Sequence, residues 1–490
     1  MSSNIFNILN TAQVGLRSQL LAMEVTGHNI ANVQTEGYSR QEINFEAMDS
    51  RFTEMGQIGT GVRVGGIERA HDEFLFLQIL GEGDRLGKSR VKQQVYDQIE
   101  ILLSEKSGQS LNESLNKFFS GLQDVASNPT SPPERSTLLA ESQNLVSTFN
   151  NLGESLFQIQ QNLDAAVAVD LGKINSLTKE IAALNQAIHA NEPTTFNAND
   201  YRDSRDLKVK KLSEIIDMDF VDELDGQISL TRNDGTPLVL RSTAFTVDTT
   251  INGNNKSFYD VLVRDPSGNE TNITSTINGG TLKGYLEMRD TVVVEVLDKL
   301  DRLAAGFVKE FNNIHQQGFG LDGSTGNNFF NPLETNVDAN ANNSGSTALT
   351  ATNGDPSNIS VDKYEITITG ETSFSLQNET RGASSGTYTF TSGSTFNIGN
   401  GFAVTISGTP VVGDKFKLSV SEGAARNISI ANNVSSNTSK ISAGLNSRTD
   451  GGNAQNLVGL QSKALFDNIT LDSAGSGTFT FDEFYSSLIS

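Results

Sequence analysis

The 490-residue chain contains no cysteine, and it has few cations for its size. The absence of cysteine excludes disulfide bonds, thiolate metal sites and cysteine nucleophiles. Lysine and arginine together number 36 against 58 aspartates and glutamates, which gives a formal net charge of −22. A field of this sign repels phosphate groups and anionic lipid headgroups, so we expect neither nucleic acid nor a membrane surface as a partner.

Long apolar runs are also missing. The best candidate, FLFLQIL at 74–80, is much shorter than a bilayer span and is interrupted by Gln78. The N-terminus does not have the form of a Sec-type signal, because its first cation is Arg17 and because Asn4 and Asn7 interrupt any apolar region. A chain of this length is expected to form about two to four domains.

Motifs for catalysis or metal binding are scarce. No pair of histidines has the spacing of zinc ligands, and the four are isolated in the sequence: His28, His71, His189 and His315. The glycine-rich stretch at 59–66 is interpreted as turns, because its spacing is wrong for a phosphate loop. Residues 472–483 imitate a calcium loop, but Ala474 stands where an oxygen ligand is required, so ion binding there stays open. We expect no catalytic residue, no cofactor and no metal site.

Apolar residues with helical spacing run through the first thirty positions, and the opposite side of this predicted helix is polar. This assembly seam comprises Ile5, Leu9, Ala12, Leu16, Leu20, Met23, Gly27 and Ile30. Such a stripe is usually the core-facing side of a helix. Here, however, the residues that follow alternate as strands and turns and do not form a partner helix. The seam therefore predicts a surface for assembly with other helices.

Helical and strand periodicities alternate along the rest of the chain. They predict an α+β multidomain fold, in which an elongated helical bundle (a coiled-coil-like stalk) carries two inserted antiparallel β domains. The longest helical pattern begins at Pro132, behind a capping box of Ser131 and Glu134, and continues to His189 with a phase slip near Asp170. The predicted segments are an N-terminal assembly helix (1–40), an extended connector (41–75), the stalk (76–217, completed by 283–330 and 426–490), one β domain (218–282), and a second β domain (331–425) with a flexible loop (335–358).

A polar junction, HNIANVQTEGYSRQEINF at 28–45, follows the first helix. It is similar to the N-terminal signature of bacterial flagellar axial proteins, and its GYSRQ ending resembles the hook-associated protein 1 family of hook–filament junction proteins. The residues of this family motif are Asn29, Ile30, Ala31, Asn32, Thr35, Gly37, Tyr38, Ser39 and Arg40. Further stretches resemble the same family in the same order, among them SNPTSPPERSTLL at 127–139 and RDLKVKKLSEIID at 205–217.

The junction also has a local chemistry. Asn29 and Asn32 are predicted to hydrogen-bond backbone groups at the end of the helix, and Gly37 to adopt a positive φ in the turn. Gly27 and Ala31 are small enough to let another helix approach closely. An ordinary helix end followed by a turn predicts the same local geometry, so only the uncovered seam and the extent of the resemblance favour assembly.

The resemblance implies a structural subunit of the bacterial flagellum, not an enzyme, that joins hook to filament by axial self-assembly of terminal helices. It would be exported by the flagellar type III system and act outside the cell, at the hook–filament junction. The implied partners are other copies of the chain, the hook protein, the next hook-associated junction protein and an export chaperone. The family continues beyond the position of Ser490 with a further helical segment, which would pair with the first helix and bind the chaperone. The chain as given is expected to lack this segment.

Two other functions stay open at this point. A secreted coiled-coil adhesin or scaffold would bind ligands without ordered self-association. A hydrolase carried by an axial protein would need converging carboxylates in 218–282 or 331–425. The sequence also leads us to expect that roughly the first 40 residues are mobile in an isolated monomer, because folding there would be coupled to assembly.

Overall fold

The computed structural model describes residues 2–53, 56–104, 110–192, 197–467, 470 and 477–488. The helices in this part of the chain are α1 (Ser2–Ala31), α2 (Glu73–Leu103), α3 (Leu111–Ser127), α4 (Pro132–Asn191), α5 (Asn199–Ser213), α6 (Gly280–Glu287), α7 (Val293–His315), α8 (Ala424–Asn427), α9 (Asn432–Ser436), α10 (Gly452–Val458) and α11 (Phe481–Ser486). A π-helical stretch, Met288–Val292, lies between α6 and α7.

The strands are β1 (Gln41–Ala47), β2 (Arg51–Thr53), β3 (Gly56–Ile58), β4 (Val62–Arg69), β5 (Asp219–Asp222), β6 (Ile228–Thr231), β7 (Pro237–Leu240), β8 (Thr243–Ala244), β9 (Thr246–Ile251), β10 (Tyr259–Arg264), β11 (Glu270–Asn272), β12 (Asn336–Ala339), β13 (Ala348–Asn353), β14 (Tyr364–Gly370), β15 (Ser373–Asn378), β16 (Ala383–Thr389), β17 (Thr395–Gly399), β18 (Phe402–Ser407) and β19 (Lys415–Ser419). They form two two-stranded sheets, β1-β4 and β2-β3, and four larger sheets, in the orders β5-β6-β7-β8, β11-β10-β9, β12-β19-β14-β15-β16 and β13-β18-β17. The pairings between these strands are antiparallel. The predicted α+β class with antiparallel sheets is confirmed.

The contacts divide the chain into two compact units. Unit 1 contains Met1–Gln94, Leu163–Asn252 and Phe258–Glu287, and unit 2 contains Val95–Asn162, Gly253–Ser257 and Met288–Ser490. Helices α2 and α4 both run through this division. The division therefore cuts across the stalk predicted at 76–217.

Helix α4 begins at Pro132, where the sequence predicts a helix start, and it continues for 60 residues. The hydroxyl of Ser131 donates to the carboxylate of Glu134, so the two side chains predicted to form a capping box are in contact at the helix start. The predicted phase slip near Asp170 is not a break in the helix. The buried Asp170 carboxylate accepts a hydrogen bond from Lys173 at 2.8 Å, so a polar residue occupies an inward position and interrupts only the apolar pattern.

In unit 1, the strands of 218–282 pack against helices and share one core with them. Val209 of α5, Ile228 of β6 and Val261 of β10 belong to the same buried cluster, together with Ile181 of α4. Sheets of such short strands are stable only when their apolar face is covered, and here the helices cover it. The β region predicted at 218–282 is thus part of a mixed layer of helices and sheets.

Unit 2 has two apolar cores. Aromatic rings fill the first, around α3 and α7, where the ring centroids of Phe118 and Phe311 lie 5.3 Å apart and those of Phe329 and Phe330 lie 4.9 Å apart. The second core lies in the β region at 331–425. It contains buried residues from its five-stranded and three-stranded sheets: Tyr364, Ile366, Phe374, Leu376, Ile398, Phe402, Val404, Ile406, Phe416 and Leu418.

The prediction of a flexible loop at 335–358 is wrong. Two strands lie in this segment, β12 pairing with β19 and β13 pairing with β18. Between them, the Asp414 carboxylate accepts the backbone N–H of Ser344 at 2.9 Å. The polar composition of the segment concealed its strands, because ladder hydrogen bonds to neighbouring strands do not require apolar side chains at every second position.

The prediction that 426–490 completes a helical stalk is also wrong. The helices in the described part of this segment are short: α8 to α11 and two 3-10 helices, Thr438–Lys440 and Gly459–Ser462. Asparagine, serine and glycine are frequent here, and these residues favour caps and turns over long helices. The Asp450 carboxylate shows the effect, since it accepts backbone N–H groups from Leu445 at 2.8 Å and Ser447 at 2.6 Å.

Candidate assembly site

Helix α1 packs against its own chain through one narrow face. It contacts strands β1 and β4, and on this face Ser18 and Val25 are buried. The hydroxyl of Thr11 donates to the backbone carbonyl of Thr60 at 3.1 Å. This face consists of small and polar residues as well as apolar ones, and it does not include the predicted seam.

All eight residues of the assembly seam are exposed. Leu16 is 64% exposed, Leu20 is 48% exposed and Met23 is 66% exposed. A Cβ atom added to Gly27 would meet no atom within 4 Å, so the described part of the chain does not explain the small residue there. The structure leaves a stripe of large apolar side chains in contact with solvent along a formed helix.

Large apolar residues next to the seam are exposed as well. Phe6 and Ile8 near the start of α1, and Val33 just beyond its end, lie outside the predicted positions but are equally uncovered. The seam prediction missed them because it followed a single line of residues spaced three and four apart. The exposed apolar surface of α1 is therefore wider than one helical stripe.

The end of α1 is joined to strand β1 by an asparagine side chain. Asn29 donates from Nδ2 to the backbone carbonyl of Gln41 at 2.9 Å, and its Oδ1 accepts the backbone N–H of Gln41 at 2.9 Å. The amide thus mimics a strand partner. Asn32 lies nearer the helix end and donates to the backbone carbonyl of His28 at 3.1 Å, in agreement with its predicted backbone contact.

The turn after the helix depends on Gly37 and Tyr38. Gly37 has a φ of +83°, in agreement with the predicted turn, and a Cβ there would lie 3.0 Å from the Cβ of Leu207. The Tyr38 hydroxyl donates to Asn29 Oδ1 at 2.8 Å and lies 3.0 Å from Nδ1 of His28. Thr35 forms a local contact, because its N–H is bonded to the carbonyl of Asn32 at 2.9 Å, and Ile30 and Ala31 are exposed.

Helix α5 presents carboxylates to this junction at three successive turns. Asp200 Oδ1 accepts from Nε2 of Gln41 at 3.0 Å, and Asp203 Oδ2 accepts the backbone N–H of Ser39 at 2.8 Å. Asp206 accepts from the guanidinium of Arg69, at the end of β4, at 2.6 Å. These contacts bring together segments that lie far apart in the sequence.

Sequence reasoning missed the three aspartates of α5. Their spacing, at positions 200, 203 and 206, places carboxylates on one face of a helix, and that face was not predicted to carry a role. Arg202 and Lys210 lie four positions from Asp206 on the same helix, so the sequence offers local ion-pair partners and gives no signal that these carboxylates bind the junction. Arg40, by contrast, stays at the surface and pairs with Glu42 at 2.6 Å.

Charged groups around this junction shape its electrostatics. A cleft of about 340 Å³ lies beside it, lined in part by Arg69, His71 and Asp206. Burial lowers the pKa of His71, and the Arg69 cation lowers it further. Burial raises the pKa of the Tyr38 hydroxyl, with smaller contributions from the nearby aspartates of α5. Both side chains are therefore neutral near pH 7 and act as hydrogen-bonding groups.

The described residues hold no cluster of histidine, aspartate and glutamate side chains that could bind a metal ion. The calcium-like loop at 472–483 lies partly outside the described residues, which omit 471–476. Its last residue, Glu483, closes a capping box with Thr480 at the start of α11. None of the helices described is both long and apolar enough to cross a bilayer.

Comparison with known proteins places these features in a family. The family model for the flagellar hook-associated protein FlgK helical domain matches residues 96–330, and that for the flagella basal body rod protein matches residues 9–38. Flagellar hook-associated protein 1 of Bacillus subtilis is 31% identical over 359 residues, which cover 67% of this chain and 70% of the relative. The Escherichia coli protein of the same name is 28% identical over 488 residues, covering 99% of this chain and 87% of the relative.

A solved structure is similar in fold. It is the flagellar hook junction protein FlgK from Burkholderia pseudomallei, with a TM-score of 0.64 and 26% sequence identity, covering 75% of this chain and 66% of that chain. The rod-protein match at 9–38 contains most of α1 and the junction up to Tyr38. The chain belongs to the flagellar hook-associated protein 1 family, whose members are structural proteins of the bacterial flagellum.

Proposed function

We propose that this protein joins the flagellar hook to the filament, and that the assembly seam of α1 is the surface through which it adds to the axial structure. The observation that carries the proposal is the exposure of the seam on a helix that is already formed. Family membership supports the role at the junction. The exposed seam indicates which side chains would make the contacts that this role requires.

The energetics of the seam favour a helical partner. Each large apolar side chain that becomes fully buried contributes roughly 1.5–3 kcal/mol. The three- and four-residue spacing of the seam suits knobs-into-holes packing against another helix. Strands β1 and β4 already occupy a different face of α1. We therefore expect the seam to pack against helices supplied by other copies of this chain or by neighbouring flagellar subunits.

Several finer features belong to the same proposal. The direct neighbours are the hook protein on one side and the next hook-associated junction protein on the other, with further copies of this chain beside it. The protein acts outside the cell, after export by the flagellar type III system with the help of a chaperone. Similarity to hook-associated proteins supports these features.

The seam can be tested by placing charges on it. In the double variant Leu16→Asp/Leu20→Asp, carboxylates would have to be buried at the contact, so we expect the protein to lose its binding to isolated hooks that lack their junction protein. Binding is measured by co-sedimentation and by electron microscopy of the hook ends. The matched control, Asn7→Asp/Asn10→Asp, adds the same charge at exposed positions of α1 that lie off the seam.

Circular dichroism of each variant separates loss of binding from loss of folding. The proposal requires that the seam variant keeps the wild-type helix content and thermal midpoint, because the seam is exposed in the isolated chain. If the seam variant binds hooks as well as the wild type does, or if the control variant is equally impaired, the seam is not the assembly surface.

A further inference from the structure

We propose that Asp200, Asp203 and Asp206 of helix α5 form a latch that sets the orientation of α1 on unit 1. The inference rests on the proposed function, in which α1 is the assembly helix. It identifies the residues that fix the direction in which this helix leaves the subunit. A seam can pack in register against neighbouring helices only if the helix that carries it leaves the subunit in a defined direction. The latch would provide that direction before assembly.

The latch holds two separate points of the N-terminal segment. Asp203 lies at its centre, since one oxygen accepts the backbone N–H of Ser39 at 2.8 Å and the other accepts from Arg69 at 3.1 Å. Ser39 follows α1 in the chain, whereas Arg69 ends strand β4, where it is the ladder partner of Gln41 in β1. A single contact would allow the segment to pivot, but contacts at two points restrict this rotation.

The helix is coupled to these points through its last turn. The side-chain amide of Asn29 is bonded to both backbone groups of Gln41, and Nε2 of Gln41 donates to Asp200 at 3.0 Å. In strand β4, the backbone carbonyl of Ile67 accepts a hydrogen bond from Nδ2 of Asn199 at 2.9 Å. Movement of α1 relative to α5 would therefore break several hydrogen bonds together.

The low exposure of the latch side chains and the close packing beside them favour one arrangement of α1 relative to α5. The side chain of Asp203 is 7% exposed and that of Arg69 is 12% exposed, so each would lose its partner in a place where water has little access. Hydrogen bonds depend on direction, whereas apolar contact does not. Gly37 packs against Leu207 at a distance that leaves no room for a larger residue.

The absence of cysteine allows a direct measurement. Spin labels on Glu24→Cys and Lys210→Cys, two exposed positions on α1 and α5, report the distance between the helices by double electron–electron resonance in the full chain. We expect one narrow distance distribution in the otherwise wild-type protein. Asp203→Asn should broaden it or add a second population, because the amide cannot keep both the Ser39 and the Arg69 contacts.

Two further variants distinguish the loss of the latch contacts from misfolding of the protein. Gln41→Glu places a carboxylate beside Asp200 at a partly exposed position, so it should broaden the distribution without unfolding the protein. Asp97→Asn, which makes the same chemical change at an exposed site on α2, should leave the distribution narrow. Circular dichroism confirms the fold of each variant. A narrow, unshifted distribution in both Asp203→Asn and Gln41→Glu would overturn the latch.

Hook binding separates this inference from the proposed function. The seam variant Leu16→Asp/Leu20→Asp should lose hook binding and keep the narrow distribution, whereas Asp203→Asn should broaden the distribution and weaken hook binding. If Asp203→Asn broadens the distribution but binds hooks normally, the orienting role is wrong and the seam remains valid. If the seam variant binds normally, the proposed function fails while the distance measurement still reports on the latch.

Discussion

Among single residues, His315 is the clearest case of a buried group whose charge state matters. Its Nδ1 lies 2.7 Å from the backbone carbonyl of Asn327, and its Nε2 accepts the backbone N–H of Ser442 at 2.8 Å. This pattern fixes a neutral imidazole with the proton on Nδ1. Burial lowers the pKa of His315 from 6.5 to about 4.

We predict that stability falls when the pH drops below the unfolded pKa of this histidine. The unfolded chain binds a proton near pH 6.5 and the folded chain only near pH 4, so the contribution is fully present above pH 6.5 and is lost between these values. At about 1.36 kcal/mol per pKa unit, the loss is roughly 3 kcal/mol. Urea unfolding at pH 7 and pH 5 should show roughly 2 kcal/mol of this loss, because pH 5 lies about 1.5 units below the unfolded pKa. His315→Gln should reduce the difference between the two pH values, and the exposed His189→Gln should not.

The turn glycine gives a second prediction for a single residue. Gly37→Ala should destabilise the monomer by about 1–2 kcal/mol, because alanine is strained at positive φ and its Cβ would press on Leu207. Gly27→Ala is the opposite case, since this helical site is open and alanine is the better helix former by about 1 kcal/mol. Thermal unfolding of both variants should give shifts of opposite sign. Equal shifts would contradict the strain argument.

Among the elements, helix α4 is attached to the sheets of unit 1 by two asparagine side chains, of which Asn185 is buried. Asn185 Nδ2 donates to the carbonyls of Ile228 at 2.8 Å and Arg241 at 2.7 Å, while its Oδ1 accepts the N–H of Ile228 at 3.2 Å. Asn175 bonds both backbone groups of Val247 in the same way. The helix thus completes hydrogen bonds at strand ends as well as burying apolar surface.

Removing one of these asparagine side chains should destabilise the folded protein. We predict that Asn185→Ala lowers the free energy of unfolding by about 2–4 kcal/mol, because more than one buried backbone group would lose its partner, at about 1–3 kcal/mol each. Asn162→Ala, at an exposed site on the same helix, should change it by less than about 0.5 kcal/mol. Chemical denaturation followed by circular dichroism measures both values, and similar losses in the two variants would contradict this role.

Across the whole molecule, the resistance to local opening should be uneven. Helix α1 is exposed along most of its length, whereas α7 buries Phe307 and Phe311 among other aromatic rings. We predict that amides from Leu16 to Met23 exchange with solvent much faster in a dilute monomer than those of α7. Mass-spectrometric hydrogen exchange measures this, and slow exchange in the first segment would contradict the expected coupling of folding to assembly.

A latch at the base of α1 is compatible with such exchange. Hydrogen exchange reports rare openings of the helix, while spin-label distances report the dominant arrangement. Assembly on the hook should protect the same amides, because neighbouring helices would then cover the seam.

The family relationship also decides between the functions that the sequence left open. Hook-associated proteins are structural, so the hydrolase hypothesis is wrong. The association of this chain with the flagellum follows from the same relationship.

Local patterns in the sequence were sufficient for several features. The helix at the N-terminus, the start of α4 at Pro132, the turn at Gly37 and the antiparallel strands are confirmed. The helix, its start and the turn depend on neighbours within a few residues, where periodicity, capping and backbone freedom act directly. The two-residue periodicity of a strand is also a local pattern, whereas the pairing of strands is not. The resemblance to flagellar axial proteins rested on similarly short stretches.

Only the tertiary structure decided which distant segments meet. The strands within 335–358 exist because partners at least 49 residues away complete their ladders. The short helices after 424 are shaped by side chains that accept backbone N–H groups. Asp203 joins Ser39 across 164 positions. Such contacts depend on the folded path of the chain, so residue spacing alone could not reveal them.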